Sequence, residues 1–184
     1  MAEVALDDSI ALRVRFDGIA PPAHAMYFRG PVLGHFDGHE WRPLPPSSTI
    51  PRRLPVNLRP QGPTIPYEMT LEPLRLAMLP LLEATGRPPT VEGVQVSLQD
   101  DLQALTDRPV LERLRFRAEA NTAFEHGPQR ATPALRDYVE LPANFNPRSL
   151  AWAAELRSQP RYANADANTL AGALMQHIRS AGFN

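Results

Sequence analysis

Ile10, Leu12, Val14 and Phe16 alternate with Ala11, Arg13 and Arg15, and Asp17-Gly18 follows. Successive side chains of an extended chain point to opposite faces, so this period predicts a half-buried strand ended by a turn. The alternation recurs as Tyr67, Met69 and Leu71 against Glu68, Thr70 and Glu72, and as Val94, Val96 and Leu98 against Gln95, Ser97 and Gln99. Its clearest instance sets Leu114, Phe116, Ala118 and Ala120 against Arg113, Arg115, Arg117 and Glu119. A one-residue slip there would bury three arginines, so the register is well specified. Residues 27–33 and 40–44 flank Asp37-Gly38 and are expected to be the two sides of a hairpin. Asp tolerates a left-handed backbone and Gly adopts it without a Cβ clash. Pro80 argues for a short strand and a turn within 74–82. Asp100-Asp101 reads as a turn, 102–105 as a brief edge strand and 136–141 as a short extended segment. Residues 45–66, rich in Pro, Ser, Arg and Asn, read as a surface loop of more than usual length.

The pattern changes near residues 141–146. Asn146 is placed to cap a helix whose first residue is Pro147. Leu150, Ala153, Ala154 and Leu156 keep helical spacing until Gln159-Pro160. Asp166 can cap a second helix with the stripe Leu170, Leu174, Met175 and Ile178, stopped at Gly182. Seven or eight strands followed by two helices predict a mainly β chain: an antiparallel β-sandwich with two C-terminal α-helices, α+β overall. The expected domains are 1–142 for the sandwich and 143–184 for the helices. Phe16, Val32, Trp41, Met69, Leu71, Val96, Leu114 and Phe116 are the expected core. Part of the apolar stripes of these two helices is expected to lie uncovered.

Composition narrows the chemistry. A chain of 184 residues is one domain, or one domain and a piece of another. Its 21 prolines, roughly twice the average usage, argue against long helices before residue 146. The net charge of −1 offers no broad field for nucleic acid or anionic lipid. Cysteine is absent, which removes disulfides, thiolate metal ligands and any cysteine nucleophile. Lysine is absent too, so all 19 basic residues are arginine and no side-chain amine is available as an acyl acceptor. No apolar run approaches the roughly 20 residues that span a membrane. The opening Met1-Ala2-Glu3-Val4-Ala5 lacks the charged-then-apolar pattern of a signal peptide and reads as a cut end.

Few residues combine into a site. His35 and His39 straddle the Asp37-Gly38 turn beside Glu40, a conceivable metal set. The spacing matches no standard zinc pattern, and two surface imidazoles are the plainer reading. No metal or cofactor is expected. Asp7-Asp8 and Asp100-Asp101 are adjacent pairs, poor geometry for paired acid–base carboxylates. Arg113, Arg115 and Arg117 form a one-sided basic row, with Arg13 and Arg15 as a second. They read as a solvated face balanced by Glu68, Glu72, Glu112 or Glu119, or as an anion site for an acidic cell-wall polymer or lipid headgroups. Trp41 is expected to anchor the hairpin in the core; a carbohydrate platform would need it exposed.

Tyr27-Phe28-Arg29-Gly30-Pro31-Val32-Leu33, followed by Phe36-Asp37-Gly38-His39-Glu40-Trp41, resembles the TgpA-type bacterial transglutaminase-like membrane proteins. Arg29, Gly30, Phe36, Asp37, Gly38 and Trp41 carry the motif. A hairpin alone demands neither the Arg-Gly nor the Trp three residues past the Gly. The likeness extends in patches over residues 10–184. It includes Val14-Arg15-Phe16-Asp17-Gly18, Tyr67-Glu68-Met69-Thr70-Leu71-Glu72-Pro73, Asn146-Pro147-Arg148 and Ala153-Ala154-Glu155-Leu156-Arg157. The resemblance implies an extracytoplasmic, periplasmic location in a protein anchored by preceding membrane helices. In such proteins the catalytic cysteine, histidine and aspartate lie further along, and no position here matches that motif. The resemblance therefore implies a fragment without catalysis, partnered by the rest of its own polypeptide. An independent module binding a cell-envelope glycan or acidic polymer is the alternative. No nucleic-acid partner is expected.

Overall fold

The computed structural model describes residues 8–44, 57–128 and 133–181. The chain divides into two compact units: Met1–Phe36 with Glu40–Glu140, and Asp37–His39 with Leu141–Asn184. Most of the predicted proline loop, residues 45–56, lies outside the described residues. Its end does not read as loop. Leu58–Pro60 is a strand, and the strand Ile65–Leu71 begins inside the predicted span.

The first unit is built from antiparallel strands in small sheets. β1 (Leu12–Phe16), β6 (Ile65–Leu71) and β11 (Leu114–Ala120) form one three-stranded sheet with β6 central. β7 (Met78–Leu79), β9 (Val96–Leu98) and β10 (Ala104–Thr106) form a second, ordered β7-β10-β9. Three two-stranded pairs complete it: β2 (Phe28–Arg29) with β8 (Leu81–Leu82), β3 (His35–Phe36) with β4 (Trp41–Arg42), and β5 (Leu58–Pro60) with β12 (Phe124–His126). Twelve strands are thus described where seven or eight are expected, because five of them are only two residues long. A two-residue strand is too short to display an alternation.

The first sheet follows the sequence pattern closely. Along β11, Phe116, Ala118 and Ala120 are buried while Arg115, Arg117 and Glu119 are exposed. Phe116 lies opposite Met69 and Val14 opposite Met69 from the other side, so the register stacks apolar positions on one face. Tyr67, Met69, Leu71, Leu79, Leu82, Ala104 and Phe116 share one buried cluster, to which both three-stranded sheets contribute. Phe16, Val96 and Leu114 pack against it half-buried. Tyr67 ties β6 to β8: its phenol oxygen accepts a hydrogen bond from the Leu82 N–H at 3.1 Å.

Four local expectations need correction. Residues 27–33 are not one side of the hairpin; Phe28–Arg29 pairs with Leu81–Leu82, and Trp41–Arg42 pairs with His35–Phe36. The segment after Asp100-Asp101 is not an edge strand. Leu102 turns at φ 66°, and Ala104–Thr106 becomes the middle of its sheet. Pro133–Tyr138 is a 3-10 helix, where an extended segment over 136–141 is expected. Trp41 is not core; it is 52% exposed, because the two-stranded β3–β4 pair leaves it open to solvent.

The second unit contains α1 (Pro147–Ser158) and α2 (Ala167–Ser180). Pro147 opens α1 as expected, but Asn146 stands in the left-handed region at φ 52° and its side chain caps nothing. Asn tolerates that conformation better than most residues. Asp166 does cap α2, accepting from the Thr169 N–H at 2.8 Å. No residue of either helix is buried, and Leu150, Leu174, Met175 and Ile178 are exposed. The predicted stop at Gly182 lies outside the described residues.

Candidate functional site

All of the motif residues but Gly30 have structural roles that their identities explain. Asp37 accepts a hydrogen bond from the His39 N–H at 2.9 Å, which fixes the turn. Gly38 sits at φ +105°, and a Cβ there would meet the Phe145 ring at 3.1 Å. Only glycine satisfies both the backbone and the close ring. The His39 ring meets the Phe145 ring edge-on, with centroids 6.2 Å apart. Phe36 and Trp41, opposite each other on β3 and β4, stack with centroids 5.0 Å apart. The motif tryptophan thus completes an aromatic pair across the hairpin. Arg29 forms a half-buried ion pair with Glu83, which follows β8 in sequence. The Arg29 Nε is buried without a hydrogen-bond partner among the described residues. Gly30 has open space where a Cβ would stand, so packing does not account for it.

The arginine rows lie on the solvent face of the first sheet and are paired. Glu72, on the residue after β6, receives Arg13 at 2.9 Å and Arg113 at 3.0 Å. Glu68 receives Arg115 at 2.7 Å, Arg15 at 3.6 Å and Arg117 at 3.9 Å. The hydrogen bond from Arg115 is the main reason the Glu68 carboxyl lies below its ordinary range. Hydrogen bonds from Arg113 and then Arg13 do the same for Glu72. Five arginines therefore share two carboxylates, an arrangement that places a charge ladder across three strands. Trp41 belongs to a different sheet from these arginines.

His35 and His39 do not gather into a metal centre. Among the described residues no group of three His, Asp or Glu side chains is positioned to hold a metal ion. His35 lies on β3 and His39 in the turn against Phe145, while Glu40 accepts from Arg42 at 2.8 Å.

The first unit also holds a cleft of about 190 Å³ that the sequence pattern does not announce. Val32, Leu44 and Leu105 wall it, with Tyr138, Asp100 and Asp101 at its polar side. Gly34 makes room for its lining: a Cβ there would stand 2.8 Å from both the Leu44 side chain and the Tyr138 ring. Burial first, then the charges of Asp100, Asp101 and Asp137, push the Tyr138 phenol up. Asp101 also accepts from the Gln103 N–H at 2.9 Å, the capping role expected of a turn aspartate. A 3-10 helix far along the chain brings Tyr138 to this turn, and no local spacing encodes that meeting.

Among the described residues, no helix is long and apolar enough to cross a membrane. The chain is 28% identical, over all of its 184 residues, to a protein-glutamine gamma-glutamyltransferase of Pseudomonas aeruginosa. It spans 26% of that relative's length. It superposes with a TM-score of 0.81 on the crystal structure of the periplasmic domain of TgpA from Pseudomonas aeruginosa bound to ethylmercury, at 26% identity. The match covers 99% of this chain and 60% of that one. A second crystal structure of the same periplasmic domain gives a TM-score of 0.81 at 25% identity, covering 59% of its chain. The model of the TgpA N-terminal domain matches residues 1–123, two thirds of the sequence, and the chain therefore belongs to that family.

Proposed function

We propose that this chain is a non-catalytic, periplasmic part of a longer transglutaminase-like protein of the cell envelope. One observation carries the reading: a chain without a single cysteine matches the N-terminal domain of a family whose curated relative is a glutamyltransferase. Acyl transfer through a thiolate needs the nucleophile that is missing here. In this reading the two three-stranded sheets face each other as a small sandwich over their shared core, and residues 1–142 form the accessory domain. Residues 143–184 begin the next domain, and the rest of the polypeptide covers the apolar stripe of α2. The arginine ladder serves the sheet, since Glu68 and Glu72 already occupy it. The test is direct. The 184-residue chain, incubated with a glutamine-bearing peptide and a primary amine, is expected to yield no coupled product. Coupling that tracks the purified chain through successive columns would overturn the proposal.

A further inference from the structure

The borders of the two three-stranded sheets are kept differently. β1 carries Arg13 and Arg15, β11 carries Arg115 and Arg117, and β7 runs for two residues into Pro80. Charge and proline are common guards against a strand that would add to an open edge. β9, the other border of the second sheet, has neither: no charged residue or proline stands between Gly93 and Gln99. The Gln99 N–H donates to the Gln103 carbonyl at 2.9 Å, and the Gln95 carbonyl accepts from the Asp107 N–H at 3.1 Å. Ser97 lies opposite Leu105 between them, so Gln95, Ser97 and Gln99 turn their backbone groups to β10. The antiparallel alternation then turns the N–H and C=O of Val96 and Leu98 to the free side. Among the described residues nothing hydrogen-bonds to them there. The side chains of Val96 and Leu98 lean on the shared core, and Ser97 is exposed.

We propose that β9 is a pairing edge for a second copy of this chain, joined antiparallel about a two-fold axis through Ser97. The stretch Gln95-Val96-Ser97-Leu98-Gln99 has the same polarity read from either end. Under that axis Val96 of one copy faces Leu98 of the other, Gln95 faces Gln99, and Ser97 faces itself. Val96 and Leu98 are the residues whose backbone points outward, so they meet as hydrogen-bonded pairs and every outward N–H and C=O finds a partner. The two Ser97 residues form the intervening non-bonded pair, where Cα atoms approach to about 4.5 Å and a small side chain fits. A shift by one residue would set outward-bonding residues against inward-bonding ones. No charge faces a like charge in this register, whereas arginines border both sides of the first sheet. The match of polarity at every position favours a second copy over an unrelated extended segment. A two-fold contact uses the same edge on both partners, so it closes at the dimer and leaves no edge of β9 for a third copy.

Sedimentation equilibrium and backbone amide spectra of the 184-residue chain, taken from about 10 μM to about 1 mM, test the proposal. So short an edge is expected to give a weak dimer, with a dissociation constant of about 0.1–1 mM, and concentration-dependent shifts centred on the amides of Val96, Ser97 and Leu98. Ser97 is exposed, so a charge there leaves the fold intact, which an unchanged urea midpoint at low concentration checks. Ser97→Lys and Ser97→Glu each set like charges across the axis and are expected to weaken self-association about fivefold or more. An equimolar mixture of the two variants sets opposite charges there and is expected to restore the dimer. Four results would each overturn the proposal: a monomer throughout the range, shifts centred on α2 in place of β9, self-association unchanged in Ser97→Lys, or no recovery in the mixture.

Discussion

Tyr67 shows how one polar atom can hold two parts of a β-unit together. It is 1% exposed, and burial is the main cause that pushes its phenol above the ordinary value, so it remains neutral across the physiological range. Its oxygen is the acceptor for the Leu82 N–H. Tyr67→Phe keeps the ring but strands that buried donor, and is expected to cost about 1–3 kcal/mol in urea unfolding. An unchanged midpoint would show that another acceptor takes over. Trp41 makes the opposite point. A buried aromatic lost to alanine costs about 3–5 kcal/mol, and Phe116→Ala, at 4% exposure, is expected to fall in that range. Trp41→Ala forfeits chiefly its stack on Phe36 and is expected to cost less than about 1.5 kcal/mol. Equal losses in the two variants would return Trp41 to the core. Phe116 is legible in the sequence because arginines on both sides fix which face it takes. Trp41 has only its hydrophobicity to go by, and the cross-hairpin partner that satisfies it is not a core residue.

At the scale of elements, the first sheet depends on a charge ladder centred on β6. Both Glu68 and Glu72 are held below the ordinary carboxylate value of 4.5 when folded. A lowered folded value means that the stabilisation is fully present above the unfolded value and is lost as the pH falls through the folded one. The arginines are well exposed, so solvent screens each pair and the effect is modest. The urea midpoint is therefore expected to drop on acidification below about pH 4.5, with a shallower drop in Glu68→Gln/Glu72→Gln. Identical pH slopes for the two proteins would show that the ladder does not contribute. The three strands of this sheet are readable because one face is wet and the other dry. The strands β7 and β8 are readable only as one short strand and a turn within 74–82, since Met78, Leu79, Leu81 and Leu82 are all buried and show no alternation. The cleft is hidden for a related reason: Asp100-Asp101 reads locally as a turn, and Tyr138 reaches it only through tertiary folding.

Across the whole molecule, protection against solvent is uneven. The strand β11 buries Phe116, Ala118 and Ala120, whereas neither α1 nor α2 buries a residue. Helices of 12 and 14 residues are marginal in water without a covered apolar face. Hydrogen exchange is expected to be faster over Ala167–Ser180 than over Leu114–Ala120. Equal protection in both would mean that the helices fold as firmly as the sheet. The ladder has another consequence at this scale. Among the described residues β1 and β11 are both outer strands, with unpaired backbone groups along their free sides. Each borders the wet face with arginines: Arg13 and Arg15 on one side, Arg113, Arg115 and Arg117 on the other. A second copy approaching either border to extend the sheet would set guanidinium beside guanidinium, while the glutamates stay on the middle strand, out of reach. The same residues that pair inward keep the sheet from growing outward, so the chain resists joining its own kind at the sites where β-structure most readily aggregates.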